Sequence, residues 1–327
     1  MYDFWYHNPT RIIFGANKVN EIGGVIKEFG EKILFVYGQK SIKQSGLYFH
    51  IKDLLASESL QVIEFGGVVS NPLIDHVRDG IKVAKNYGVD CILAVGGGSV
   101  IDSAKAIAFG VCTDKDIWSF FSDRIKPDKA LPIFTVPTIS GSGSEMNSGA
   151  VLSNSETKQK LAIGALCLAP KVSILDPTLT LTVPLKYTFY GLVDALSHIL
   201  ESYFNSENLF DSIQDRMCEG LMLSLFDITP RLLANLENYQ YRGQAMWISC
   251  LAHNGILNTG RGKVVYKIHS IAHELGASSN MPHGEAISVS IPMWLDSDFD
   301  KLKNKIDQFE DRVITVHKLK GWLNGTV

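Results

Sequence analysis

Cys91-Ile-Leu-Ala-Val95 runs directly into Gly96-Gly97-Gly98-Ser99 and on through Val100-Ile-Asp-Ser-Ala-Lys-Ala-Ile-Ala108. An apolar run rich in strand formers, a glycine triplet and a run of small and apolar residues give the order strand, loop, helix. That order has a physical use. Glycines let the backbone approach a diphosphate closely, and the free N–H groups and dipole at the start of the next helix attract the anion. The dinucleotide fingerprint G-x-G-x-x-G is absent, because Ile101 stands where its third glycine would be. On the triplet alone, a tight strand-to-helix turn accounts for the glycines as well as nucleotide binding does.

Working outward, further short β-branched or aromatic runs predict strands at 33–37, 62–65, 91–95 and 133–137. Helices are predicted at 71–87, with Ile74, Val77, Ile81, Val83 and Ala84 on an apolar side, and at 100–109. This alternation is that of an α/β, Rossmann-like parallel sheet wrapped by helices. From about Pro184 the strand signals fade, and helices are predicted at 187–203, 209–225, 240–258 and 264–277. The change of texture divides the chain into 1–184, an α/β dinucleotide-binding domain, and 185–327, an all-helical domain. With no internal repeat or low-complexity linker between them, the halves are expected to pack directly and leave a cleft.

A second polar loop, Pro137-Thr-Ile-Ser-Gly-Ser-Gly-Ser-Glu-Met-Asn147, also follows a predicted strand. Its hydroxyls and backbone donors suit the same crevice at the strand ends, the usual ligand position in open α/β sheets. A solvated surface connection is the alternative reading of so much Ser and Gly.

A net charge of −3, with lysines scattered along the chain, excludes the basic face that nucleic-acid binding needs. No apolar run approaches the ~18 residues of a membrane span. The opening MYDFWYHNPTRIIFG lacks the pattern of a secretory signal, and five widely spaced cysteines without a C-x-x-C pair suit a reducing compartment, so a cytoplasmic protein is expected. No cysteine is given a catalytic role.

Of nine histidines, His269, His273 and His283 fall within fifteen residues, and His198 lies four residues after Asp194. Residues four apart on a helix project from one face, so Asp194 with His198 and His269 with His273 form two such pairs. His283 sits in Met281-Pro-His-Gly284, a turn-like break from which a side chain can point back at both helices. One carboxylate with three imidazoles suits Fe2+ or Zn2+, and the spare histidine is then free to move protons. Any one of these histidines alone reads as readily as a helix cap or a satisfied core residue. His7, His50, His76, His253 and His317 keep that reading.

The segments Gly96-Gly-Gly-Ser-Val-Ile-Asp102, Pro137-Thr-Ile-Ser-Gly-Ser-Gly-Ser-Glu145, Asp176-Pro-Thr-Leu, Gly191-Leu-Val-Asp-Ala-Leu-Ser-His-Ile-Leu-Glu201 and His269-Ser-Ile-Ala-His273 with Pro282-His-Gly284 together resemble the iron-containing (group III) alcohol dehydrogenases, butanol dehydrogenase branch. The resemblance runs from the N-terminus to about Trp294. It implies a dehydroquinate-synthase-like fold with a metal in the cleft, an NAD(P)-linked reaction on small primary alcohols or aldehydes, and a homodimer. It also implies Asp194, His198, His269 and His283 as metal ligands and His273 as the catalytic residue near nicotinamide and substrate. Gly97, Gly98, Ser99 and Asp102 would then contact the pyrophosphate, Thr138 and Ser144 the cofactor crevice, and Lys160 the ribose or nicotinamide side. Gly38, Asn71 and Gly96 complete the expected cofactor contacts.

After the strand ending at Tyr37 no acid appears before Asp53 to meet a ribose 2′-hydroxyl, while Lys40 and Lys43 are available to a 2′-phosphate. NADP(H) is therefore expected over NAD(H), with Lys43 among its contacts. The sequence departs from the family pattern after Trp294, where a charged stretch, 296–312, leads to Val327, and a shortened helical domain is expected. Two other readings follow: a glycerol-type dehydrogenase of the same fold, or a silent nucleotide- or metal-binding relative.

Overall fold

In the computed structural model, which describes residues 1–210 and 212–317, the glycine triplet sits at the carboxyl edge of a parallel sheet. The strands are β1 (Arg11–Phe14), β2 (Lys32–Tyr37), β3 (Gln61–Phe65), β4 (Cys91–Gly96), β5 (Ile133–Pro137), β6 (Gly149–Asn154), β7 (Gln159–Gly164) and β8 (Val172–Leu175). Six of them form the sheet in the order β1-β8-β5-β4-β2-β3, with every neighbouring pair parallel. Strands 2, 4 and 5 read as near-continuous apolar runs because both faces of the sheet are covered. Alternate residues serve opposite faces: Leu34, Val36, Ile92 and Ala94 pack in one core, and Phe35, Leu93 and Val95 in the other.

The covering helices are α1 (Ile22–Lys27), α2 (Ser41–Gln44), α3 (Leu47–Ser57), α4 (Ile74–Tyr87), α5 (Gly98–Gly110) and α6 (Ile117–Ser122). The chain leaves β2 for β3 on one side and returns through α4 to place β4 on the other side of β2. This reversal opens a crevice beyond the carboxyl ends of β2 and β4, where Gly38 and the glycine triplet lie. Helix α5 starts at Gly98, two residues before the predicted 100, so its unpaired N–H groups open directly onto that crevice.

The hairpin of β6 and β7, with β1 and β8, was not among the predicted strands. β1 and β8 have four residues each, too few to show a period, and β7 opens on two polar residues and buries only Ile163. The hairpin is fixed beside the crevice by Ser153, whose backbone N–H donates to the Pro72 carbonyl at 2.8 Å.

The helical half contains α7 (Leu185–Phe204), α8 (Ser212–Ala234), α9 (Tyr239–His253), α10 (Lys267–Ser279) and α11 (His283–Phe309), the last continued by a π-turn at Glu310–Ile314. Two differences from expectation stand out. Helix α8 runs past 225 and through Pro230, and the charged stretch 296–312 is the body of α11 and the turn that continues it rather than a tail. From Trp294 onward the buried stripe of α11 is Trp294, Asp298, Leu302 and Lys305, so half of the core-facing positions in that stretch are charged and the apolar period is hidden. Residues 318–327 of the expected helical domain lie outside the described residues. Among the described residues, no helix is long and apolar enough to cross a membrane.

The halves meet without a linker. A Cβ built on Gly191 of α7 would lie 2.0 Å from the Ser140 carbonyl oxygen, and one on Gly141 would lie 2.8 Å from the Gly191 Cα. The 137–147 loop therefore rests on the bare backbone of α7, one turn before Asp194.

Candidate metal centre and cofactor crevice

Helix α7 carries Asp194 and His198 on the face turned toward α10, whose first turn supplies His269. All three are buried. One potential ligand atom from each falls within 4.8 Å of the others, close to what atoms ~2.0–2.2 Å from a common ion require. His283, expected in a turn, is the first residue of α11, with Pro282 as its extended N-cap. Its Nε2 lies 3.5 Å from Asp194 Oδ1, and His269 Nε2 lies 3.6 Å from the same oxygen. His283 thus joins the group from the side through Asp194. The His273 ring, half-buried, is centred 6.3 Å from that of His269 and 5.9 Å from that of His283, at the edge of the cluster.

The chemistry of these side chains fits a cation. Asp194 Oδ1, His198 Nδ1, His269 Nε2 and His283 Nδ1 are buried and have no hydrogen-bond partner in the protein. Unpartnered atoms on four neighbouring side chains would be costly in a closed core, and a metal ion held by Asp194, His198 and His269 would reduce that cost by accepting lone pairs. The electrostatics agree. Burial opposes charge on Asp194, yet the surrounding histidines offset it and hold the carboxyl well below its ordinary value. Burial pushes His198 far down and His283 down, so these rings are neutral and keep a lone pair. For His269, burial is outweighed by the Asp194 and Glu201 carboxylates, which raise it to about 9. Burial first, then the Lys160 ammonium, pushes His273 down to about 2, so its ring is neutral.

Gly38 and Lys43 line a cavity of about 480 Å³ beyond β2 and β3, together with Tyr37, Gln39, Lys40 and Gly67. The Lys43 ammonium lies over the rings of Tyr48, at 4.7 Å, and Tyr37, at 5.5 Å. The two polar loops are joined as expected. A Cβ on Gly98 would meet Ser142 Oγ at 2.5 Å, Thr138 N donates to the Gly96 carbonyl at 3.1 Å, and Gly97 is the N-cap of α5. Ser99 Oγ donates to the Ser70 carbonyl at 2.5 Å. Asp102 faces the protein: Oδ1 accepts from Ser144 Oγ at 2.6 Å and Oδ2 from Val151 N at 3.0 Å. Lys160, on β7, donates to Asn71 Oδ1 at 3.1 Å and stands between the crevice and the histidines.

Three residues in this region were given no role by the sequence. His253 stacks on His198 with centroids 3.9 Å apart, and its Nδ1 lies 2.8 Å from the Ser142 carbonyl. Being 55 residues beyond His198, it offered no spacing signal. Lys105, fully buried, donates to Ser144 Oγ, to Asn147 Oδ1 and to the Asn147 and Gly149 carbonyls at 2.8–3.0 Å, which ties α5 to the second loop. Glu201 shared the helix face of Asp194 and His198, and that periodicity was a readable signal.

Residues 9–177 match the family Iron-containing alcohol dehydrogenase, and residues 188–320 match the Fe-containing alcohol dehydrogenase family, C-terminal. The chain belongs to the iron-containing alcohol dehydrogenase family. Within that family it falls in the butanol dehydrogenase-like branch. It is 40% identical over 319 residues, 97% of this chain and 82% of the relative, to the probable NADH-dependent butanol dehydrogenase 1 of Bacillus subtilis. It is 33% identical to the NADPH-dependent aldehyde reductase YqhD of Escherichia coli, over 96% of this chain and 80% of the relative. The crystal structure of NADH-dependent butanol dehydrogenase A from Thermotoga maritima superposes with a TM-score of 0.93 at 38% identity, covering 96% of this chain and 78% of that one. The α/β half with its glycine loops falls in the first match to the iron-containing alcohol dehydrogenases, and Asp194, His198, His269 and His283 fall in the second.

Proposed function

We infer that this protein is a metal-dependent, NAD(P)-linked alcohol dehydrogenase and aldehyde reductase acting on small primary alcohols and aldehydes of the butanol type. The observation that carries this reading is the buried group of one carboxylate and three imidazoles with unpartnered atoms, set beside a glycine-lined crevice. Relatives of this chain are named as butanol dehydrogenases and an aldehyde reductase, which supports the substrate class.

In this reading Asp194, His198, His269 and His283 hold a divalent ion, Fe2+ or Zn2+. When bound, the ion polarises the substrate oxygen and the nicotinamide exchanges the hydride. Gly96, Gly97 and Gly98 let the cofactor's diphosphate approach the N–H groups of α5, with Ser99 alongside. Asp102, through Ser144 Oγ and Val151 N, keeps the second loop and the hairpin at the correct distance. Thr138, Ser144 and Lys160 line the path from that diphosphate to the metal group, and Asn71 orients the Lys160 ammonium. His273, neutral and at the edge of the cluster, carries the proton that leaves or reaches the substrate oxygen. Gly38 and Lys43 receive the adenosine end, and the lysines there favour NADP(H) over NAD(H). A division of labour between 1–184 and 185–327, a homodimer and a cytoplasmic location belong to the same reading.

The test is direct. Metal-free protein reconstituted anaerobically with Fe2+ or Zn2+ is mixed with NADPH or NADH and butyraldehyde, and the absorbance of the reduced nicotinamide is followed. Metal-dependent loss that a chelator abolishes is expected. A folded, metal-loaded protein that consumes neither cofactor would overturn the reading in favour of a silent relative.

A further inference from the structure

Glu201 has no solvent-exposed surface, yet it carries a carboxylate. It lies on α7, three residues past His198 and seven past Asp194, so the three side chains share one helix face. Four donors converge on it. Oε1 accepts from the His269 backbone N–H at 3.0 Å and lies 3.4 Å from His269 Nδ1. Oε2 accepts from the Lys267 backbone N–H at 3.0 Å and from Asn205 Nδ2 at 2.5 Å.

Two of those donors are backbone N–H groups in the first turn of α10, whose own N-cap residue, Tyr266, supplies no side-chain cap. A carboxylate reaching over from α7 takes that place, at the end of the helix dipole that favours an anion. A cap alone would need only the backbone contacts. The ring contact adds something else. A nitrogen facing a carboxylate oxygen has to carry a hydrogen, so Nδ1 of His269 is the protonated position and Nε2 is left as the lone pair. Nε2 is the atom that points at Asp194 and is buried without a partner.

We propose that Glu201 is a positioning residue for the metal group: it selects the His269 tautomer and ring orientation that turn Nε2 toward the ion. The proposal rests on the reading of Asp194 and His269 as metal ligands. A glutamine in its place fails for a stated reason. Its single oxygen satisfies one side, while its NH2 group is forced against two donors on the other. Either the ring or the backbone cap is then mismatched.

The experiment measures Zn2+ affinity by chelator competition in wild type, Glu201→Gln, His269→Ala and the double variant. An outer-shell carboxylate of this kind is worth ~10–100-fold in metal affinity. We expect a loss of that size in Glu201→Gln, no further loss when it is added to His269→Ala, and an altered visible spectrum of the Co2+ form. Equal losses in both backgrounds would reduce Glu201 to a helix cap and overturn the proposal. If His269→Ala itself leaves affinity unchanged, the ligand reading fails instead, which separates the two failures. Should Glu201→Gln not fold, the wild-type Zn2+ form labelled with 15N-histidine decides: a protonated Nδ1 on His269 is expected, and a metal-bound Nδ1 refutes the proposal.

Discussion

Asn71 Nδ2 donates to Asn280 Oδ1 at 3.1 Å, across the cleft between the sheet and the helices. Asn280 ends α10 in a left-handed conformation, three residues before His283, and Asn71 Oδ1 accepts from Lys160 in the same place. One amide thus holds the turn that carries a metal-facing histidine and also the lysine nearest the crevice. Replacing it with alanine removes both bonds. Asn71→Ala should cost about 1 kcal/mol of folding stability. The larger effect is expected in the cofactor KM, which should rise severalfold while kcat changes less. Denaturant titration and steady-state kinetics check this, and an unchanged KM would show that Lys160 holds its place unaided.

The contact between Gly191 and the 137–147 loop predicts a different kind of failure. A methyl group on Gly191 would meet the Ser140 carbonyl oxygen at 2.0 Å, and backbone on both sides leaves no flexible atom to yield. Overpacking of this kind costs about 1–3 kcal/mol. Because Gly191 lies one turn before Asp194, the strain is relieved by shifting α7, and metal affinity should fall along with stability. Gly220, where an added Cβ meets nothing within 4 Å, is the control: Gly220→Ala should leave metal affinity unchanged.

Helix α11 is fastened by charge. Asp215, buried, accepts from Arg261 Nη2 at 2.9 Å and from Lys305 Nζ at 2.6 Å, and both cations are themselves buried. Asp215→Ala would strand two charges in the interior, a loss of about 3–5 kcal/mol. Lys305→Met, which keeps the Asp215–Arg261 pair and adds apolar volume, should cost distinctly less. Thermal unfolding of the two variants decides. Equal losses would mean that the network acts through Lys305 alone.

How far the sequence could be read follows from these same residues. The central strands and the glycine loop were legible because both faces of a parallel sheet demand apolar residues, and because only glycine allows so tight a strand-to-helix approach. The metal candidates were legible because α7 and α10 each place two side chains four apart. What stayed hidden depends on contacts distant in sequence. His253 reaches His198 only through the packing of α9 on α7, and Asp298 and Lys305 disguised the buried stripe of α11 as a charged tail. Short β1 and β8 take their structure from the sheet between them and Tyr37's strand rather than from any period of their own. Asp102 reads in sequence as part of a phosphate loop, whereas both of its oxygens are engaged by protein donors.

The unpartnered atoms of the metal group lead to the last prediction. Without an ion, Asp194 Oδ1 and the facing imidazole nitrogens are buried with their hydrogen-bonding capacity unused, so the metal-free protein carries a local penalty that binding removes. An ion that binds only the folded chain stabilises it by about 2.7 kcal/mol at a hundredfold excess over Kd. The unfolding midpoint of the metal-free protein should therefore climb with added Zn2+ and go on rising with concentration. Asp194→Asn keeps the shape of the side chain but removes the charge that balances the cation. In that variant the midpoint of the metal-free form should fall, since the surrounding histidines favour the native charge by more than burial opposes it, while the response to Zn2+ should flatten. Calorimetric scans across a Zn2+ series check both halves. A variant that responds to Zn2+ as the wild type does would place the binding elsewhere on the chain and remove Asp194 from the ligand set.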